Sequence, residues 1–153
     1  MDINQVKKES LKLMEESKAA YLTTIDPNGA PITRAMLNLR NEKQFPEFSS
    51  FFKKQENKFH IYISTNTSSS KVAHIKKNPT INVYFCNPDD FKGVMLGGKA
   101  EIMEAKKLKH EFWLDWWTKY YPEGVDDPDY TLLRLNPKNL RYYYRLNQVN
   151  LEL

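Results

Sequence analysis

Two groups of residues have the types and spacing that chemistry needs. The first is Thr65-Asn66-Thr67-Ser68-Ser69-Ser70-Lys71, a hydroxyl-rich stretch closed by a lysine. If it joins a strand to a helix, free backbone N–H groups, the helix dipole, several hydroxyls and one ammonium all favour a phosphate there. Serine and threonine are also the ordinary N-cap residues, so the same stretch fits simple capping. No Gly-x-x-x-x-Gly-Lys pattern is present, which excludes a nucleotide P-loop. The second group surrounds Arg34 in Pro31-Ile32-Thr33-Arg34-Ala35-Met36-Leu37. In a strand Arg34 shares a face with Ile32 and Met36, and a guanidinium among apolar neighbours calls for an anionic or carbonyl-rich partner. The alternative is a sheet-edge arginine whose head reaches solvent. Cys86 stands alone, and His60, His74 and His110 lack ligand-like spacing, so no metal site is expected. No Cys–His, Ser–His–Asp or paired-carboxylate constellation stands out, and no side chain is assigned as acid, base or nucleophile.

The elements that must carry these residues are legible from periodicity. Ile3, Val6, Ser10 and Leu13, with Met14 beside them, predict a helix over residues 4–17 capped by Asp2 or Asn4. Period-two runs follow at 20–26 and 31–39 around Asn28-Gly29, a strong hairpin signal because both residues tolerate positive φ. Residues 41–57 read as a loop with a short helix. Phe59, Ile61 and Ile63 alternate with His60, Tyr62 and Ser64, and Ile81, Val83 and Phe85 with Asn82, Tyr84 and Cys86. Between these two strands the hydroxyl loop leads into a short helix over 72–77, stopped by Asn78-Pro79. Residues 92–104 form a long strand whose Gly97-Gly98 signals a bulge or a close backbone approach. Leu108, Phe112, Trp116 and Tyr120, spaced four apart, predict a helix over 105–120. After an acidic turn, strands follow at 130–135 and 140–146, then a short polar tail. Seven strand candidates with hairpin-like joins point to an antiparallel, mainly β barrel of α+β class.

With 153 residues and no repeat or linker, the chain reads as a single domain, residues 1–153. No apolar run is long enough for a membrane span, and the opening Met1-Asp2-Ile3-Asn4-Gln5 lacks the features of a secretory leader. One cysteine excludes a disulfide framework, so a reducing, cytoplasmic compartment is expected. The net charge of +4 is uneven, because residues 53–77 hold six lysines against Glu56 alone. This points to a local anion site, or to a solvated lysine-rich face, and not to a generally basic surface.

In order, the chain carries Tyr21-Leu22-Thr23-Thr24, Asn28-Gly29-Ala30-Pro31, Arg34-Ala35-Met36, Thr65-x-x-x-Ser69-x-Lys71-Val72, Asn78-Pro79 and Gly97-Gly98-Lys99-Ala100. Tyr121-Pro122-Glu123-Gly124-x-Asp126-Asp127-Pro128 and Leu132-Leu133-Arg134-Leu135-x-Pro137 complete the series. This order resembles the pyridoxamine 5'-phosphate oxidase-like, FMN-binding split-barrel family, most closely its general stress protein 26 branch, over about residues 9–144. The resemblance implies a six-stranded antiparallel Greek-key split barrel with flanking helices, a homodimer with FMN at the interface, and oxidoreductase activity on a small molecule. It places the FMN phosphate against Lys71, Thr65, Ser69 and Ser70, and sets Arg34 with the backbone of Ala35 and Met36 at the phosphate or the ring. Trp116 and Tyr121, in an aromatic stretch with Trp113 and Tyr120, would wall a substrate pocket, while Trp113 fits helix packing better. The family's true oxidases carry a longer C-terminal part with an Arg-His-Arg substrate signature, whereas this chain runs Tyr142-Tyr143-Tyr144-Arg145-Leu146 into the tail. A cofactor site without vitamin B6 oxidation is therefore expected. Two alternatives stay open: a non-catalytic flavin- or haem-binding sensor or store on the same barrel and, further off, a single-strand nucleic-acid binder.

Overall fold

A computed structural model describes residues 1–153. It contains α1 (Ile3–Glu16), β1 (Ala19–Ile25), β2 (Pro31–Leu37), α2 (Ser49–Lys54), β3 (Ile61–Asn66), α3 (Ser70–Lys77), β4 (Thr80–Asn87) and β5 (Lys92–Met103). Then come α4 (Lys106–Glu111), β6 (Tyr130–Leu135), β7 (Asn139–Tyr144) and β8 (Asn147–Glu152). The hydrogen-bonded order β2-β1-β4-β5-β6-β3 supplies the six expected antiparallel strands, and β7 and β8 extend the sheet from β5. β2 and β3 end this path and lie close together without pairing, so the barrel is split between them.

β5 turns the sheet into a barrel. Its first part, Gly93 to Gly97, pairs with β7, and its second part, Ala100 to Met103, pairs with β6. The change of partner falls at Gly97-Gly98. A Cβ at Gly97 would lie 2.6 Å from Asn82 Oδ1 and 2.7 Å from Asn139 Oδ1. The β4–β5 register runs through both glycines without a break, so they mark a close approach and not a bulge.

Alternation buries one face of each strand in the barrel, where Leu22, Ile63, Val83, Leu96 and Leu133 meet Val6, Leu13 and Met14 of α1. Asp2 caps α1, its Oδ1 accepting from Gln5 N at 3.0 Å. A second, aromatic core lies outside β3 and β6, where Phe48, Tyr62, Phe112, Trp117, Tyr121 and Tyr130 pack together. β3 is thus covered on both faces, and its predicted alternation gives way to burial of Ile61 through Thr65. No helix is long and apolar enough to cross a membrane.

Three expectations are corrected. The helix over 105–120 stops at Glu111, and a 3-10 turn, Asp115–Lys119, replaces its second half. Phe112 leaves helical geometry at φ −103°, ψ 47°, which lets Phe112, Leu114, Trp117 and Tyr121 all enter the aromatic core. The strand expected over 140–146 ends at Tyr144, because Arg145 (φ 49°) and Leu146 (φ 64°) form a tight left-handed turn. The polar tail is strand β8, paired in register with β7 from Asn139↔Glu152 to Tyr144↔Asn147.

Candidate functional site

The split between β2 and β3 opens a cavity of about 560 Å³. Arg34, Ala35 and Met36 line it from β2, Thr65 from β3, Lys71 from α3, and Trp116 and Tyr121 from the segment after α4. Seven of the nine residues expected at a cofactor or substrate site, distant in sequence, therefore meet in one place. Ser69 and Ser70 do not line it. Ser70 is exposed at the first turn of α3. Ser69 occupies the N-cap position without capping, and its Oγ is buried with no hydrogen-bond partner. Tyr120, from the aromatic stretch of Trp116 and Tyr121, also lines the cavity, and Lys18, Ala19, Leu37, Ser64, Asn66 and Trp117 complete the wall beyond expectation. Ser64 and Asn66 flank Thr65 in the strand that delivers the loop. Trp117 was obscured by the four-residue spacing, which favours Trp116.

The cavity wall combines cationic and aromatic side chains. Arg34, Lys71 and Lys18 line it, no aspartate or glutamate does, and none of the three cations forms an ion pair. Burial disfavours the charged form of Arg34. Lys71 is likewise held below the usual lysine value, first by burial and then by the charge of Arg34. Two cations that repel each other at a shared cavity, with no built-in counter-charge, form a site for an anion. The guanidinium is also oriented for one. Its Nη1 donates to Thr24 Oγ1 at 2.7 Å and to the Ile32 carbonyl at 2.8 Å, which uses both protons on that nitrogen. The Nε and Nη2 edge makes no hydrogen bond within the chain, so the geometry suited to a bidentate oxyanion stays free.

The loop before α3 is held from outside. Asp129 accepts from Ser68 N at 2.8 Å and Asn66 Nδ2 at 2.9 Å, while Thr67 N donates to the Asp129 carbonyl at 2.7 Å. The Asn66 amide and then the Ser68 N–H hold the Asp129 carboxyl below the usual range. Thr67 also reaches Thr131, Oγ1 to Oγ1, at 2.5 Å. Thr67 and Ser68 are thereby committed to the segment before β6, leaving Thr65 and Lys71 to the cavity.

Of the aromatic residues in the wall, Trp117 is buried, whereas Trp116 and Tyr120 are 49% and 56% exposed, with Lys119 lying over both rings at 4.9 Å. The Tyr121 hydroxyl is pushed up to about 12, first by burial and then by Asp129 and Asp127, so it stays a neutral phenol. Trp113 does not line the cavity; it lies beyond the end of α4 and packs against Trp117, Tyr121 and Tyr130, so packing in the aromatic cluster replaces the helix packing expected of it. None of His60, His74 and His110 lines the cavity, and no group of three or more His, Cys, Asp or Glu side chains is placed to hold a metal.

Residues 6–144 match the family profile described as pyridoxamine 5'-phosphate oxidase. The chain belongs to that family. It is 25% identical over 144 residues to General stress protein 26 of Bacillus subtilis (strain 168), across 92% of this chain and 90% of that protein. A solved structure from Clostridium acetobutylicum, of a protein related to general stress protein 26, aligns with a TM-score of 0.79 at 33% identity, over 100% of this chain and 97% of that one. The family fold extends to a haem-binding protein of Mycobacterium smegmatis, with a TM-score of 0.68 at 14% identity, over 96% of this chain and 57% of that one.

Proposed function

We propose that this chain binds FMN in the cavity at the barrel split and works as a flavin-dependent oxidoreductase of the general stress protein 26 type. The observation that carries the reading is one cavity lined both by two unpaired cations, Arg34 and Lys71, and by indole and phenol rings. Such a cavity fits a ligand that is anionic at one end and flat and aromatic at the other. Arg34 and Lys71 would hold the phosphate, one as a bidentate fork and one as a point charge, with the Thr65 hydroxyl beside them. Trp116, Tyr120 and Tyr121 would exclude water from the ring, and a bound flavin supplies the electron and hydride chemistry.

A homodimer accompanies this reading. The sheet face away from the barrel core carries Leu37, Tyr84 and Tyr143 exposed, with Tyr21 and Met95 half-buried between them, and the helices all pack on other faces. Leu37 belongs both to this face and to the cavity wall, so a second copy seated there would also close the site. Aromatic residues are favoured at interface cores. Cations sunk in a cavity suit a small anion better than a nucleic-acid strand, and a lone cysteine suits a reducing, cytoplasmic compartment.

Pyridoxamine 5'-phosphate is not the substrate in this reading. Arg141 is exposed and Arg145 sits in the β7–β8 turn over the Tyr144 ring, so neither offers a second phosphate site at the cavity. The haem alternative lacks a histidine ligand in the cavity wall. The test is the absorption spectrum of purified protein, with mass identification of the ligand that denaturation releases. A flavin spectrum and FMN are expected, and a Soret band or a flavin-free protein that ignores added FMN would overturn the proposal.

A further inference from the structure

Behind the cavity a part-buried hydrogen-bond chain runs from β2 through β1 to α3. Arg34 Nη1 donates to Thr24 Oγ1 at 2.7 Å, and Thr24 Oγ1 lies 2.9 Å from His74 Nδ1. Thr24 is 0% exposed. The direction of this chain follows from donor and acceptor capacity. A guanidinium only donates, so Thr24 Oγ1 must accept from Arg34. The hydroxyl has one proton, and beyond Arg34 its hydrogen-bond partner is His74 Nδ1. A ring proton on Nε2 leaves Nδ1 free to accept it, and the chain then runs one way from Arg34 through Thr24 to His74.

His74 lies one helical turn after Lys71 on α3, whose Val72 and Ile75 are buried. Residues three apart share a helix face, so a single rigid element brings one cation to the cavity and supports the other from behind. Without an acceptor at Nδ1 the Thr24 hydroxyl has nowhere to place its proton, and its lone pairs are no longer held towards Arg34. The guanidinium would then keep only the Ile32 carbonyl and rotate about that single contact.

We propose that His74 and Thr24 are positioning residues that fix the Nε and Nη2 edge of Arg34 for an oxyanion. The proposal rests on the reading of the cavity as a phosphate-end site, and it adds two residues that do not touch the ligand.

The test has two arms. In the first, ligand-free protein is titrated with FMN and with riboflavin, following flavin fluorescence. Wild type should prefer FMN. Thr24→Val and His74→Leu should each weaken FMN binding about ten-fold, with riboflavin moved less than about two-fold. Thr24→Ser, which keeps the hydroxyl, should restore FMN binding to within about three-fold of wild type. The double variant should be no worse than either single one, because both break the same chain. Additive losses, equal losses for both flavins, or a serine variant as weak as the valine variant would overturn the proposal.

The second arm needs no flavin. Nitrogen-15 spectra of the ligand-free protein should show His74 with its proton on Nε2, and Thr24→Val should disturb that tautomer and the Arg34 Nε–H signal together. A proton on Nδ1 in wild type would overturn the chain whether or not FMN binds. Conversely, a wild type that binds both flavins equally, with the expected tautomer, would refute the phosphate reading and leave the chain a structural brace.

Discussion

Replacing Lys71 with methionine separates the phosphate from the ring as sources of affinity. The substitution keeps the length and most of the apolar stem and removes one charge. Lys71 reaches the cavity from the first turn of α3, while Val72 and Ile75 fix the helix independently, so the fold should persist. A charge-assisted hydrogen bond contributes about 1.5–3 kcal/mol, which corresponds to a loss of about 10- to 150-fold in FMN affinity. Riboflavin lacks the phosphate and should bind Lys71→Met as it binds wild type. The ligand-free variant should also melt slightly higher, because Arg34 no longer faces the charge of Lys71. Fluorescence titration with both flavins and thermal melting without them provide the measurements. Equal losses for FMN and riboflavin, or a lower melting temperature with unchanged FMN binding, would refute the placement of the anion at Lys71.

Four further outcomes are expected. Lys71 loses its proton below its usual 10.5, so FMN affinity should fall on the alkaline side starting below that pH, and Lys71→Met should abolish the dependence. The sign for stability is opposite: the unfolded chain binds more protons in this window, so ligand-free stability attributable to Lys71 rises with pH across it, as melts at stepped pH would show. Arg145→Asn with Leu146→Gly should stabilise the protein by about 1–2 kcal/mol in denaturant melts, since two ordinary residues now hold left-handed geometry in a turn that Asn-Gly suits. Gly97→Ala should cost about 1–3 kcal/mol in the same assay, because the new methyl meets Asn82 and Asn139 together.

The elements closest to the cavity were the most legible in the sequence. Asn28-Gly29 marked the β1–β2 hairpin because its geometry demands positive φ, and Gly29 adopts 81°. The loop from Thr65 to Lys71 announced a strand-to-helix passage through its hydroxyls, and Arg34 stood out as a charge on an apolar strand face. The signals failed where tertiary packing overrode a local period. Four-residue spacing predicted one stripe through Leu108, Phe112, Trp116 and Tyr120. Burial of Phe112 and Trp117 in a shared aromatic core instead breaks the helix and leaves Trp116 and Tyr120 half exposed. β8 was hidden because its asparagines and glutamine look like a solvated tail and its turn lacks glycine. Ser69 and Ser70 misled because composition marks a phosphate-type loop without saying which hydroxyls face inward.

The pairing of β3 has a consequence for how the molecule comes into being. β3 bonds only to β6, whose residues follow it by about seventy positions, and its loop is gripped by Asp129, more than sixty positions downstream. While the chain emerges from a ribosome, the strand that carries Thr65 and leads to Lys71 has no neighbour to pair with. The hairpin that carries Arg34 is complete long before. Long-range closure of this kind is slow compared with hairpin formation. β3, with Thr65, therefore joins the sheet only in a late event, after residue 135 is available. Nascent chains shorter than this point should expose β3 as an unpaired, apolar edge that needs shielding until its partner arrives.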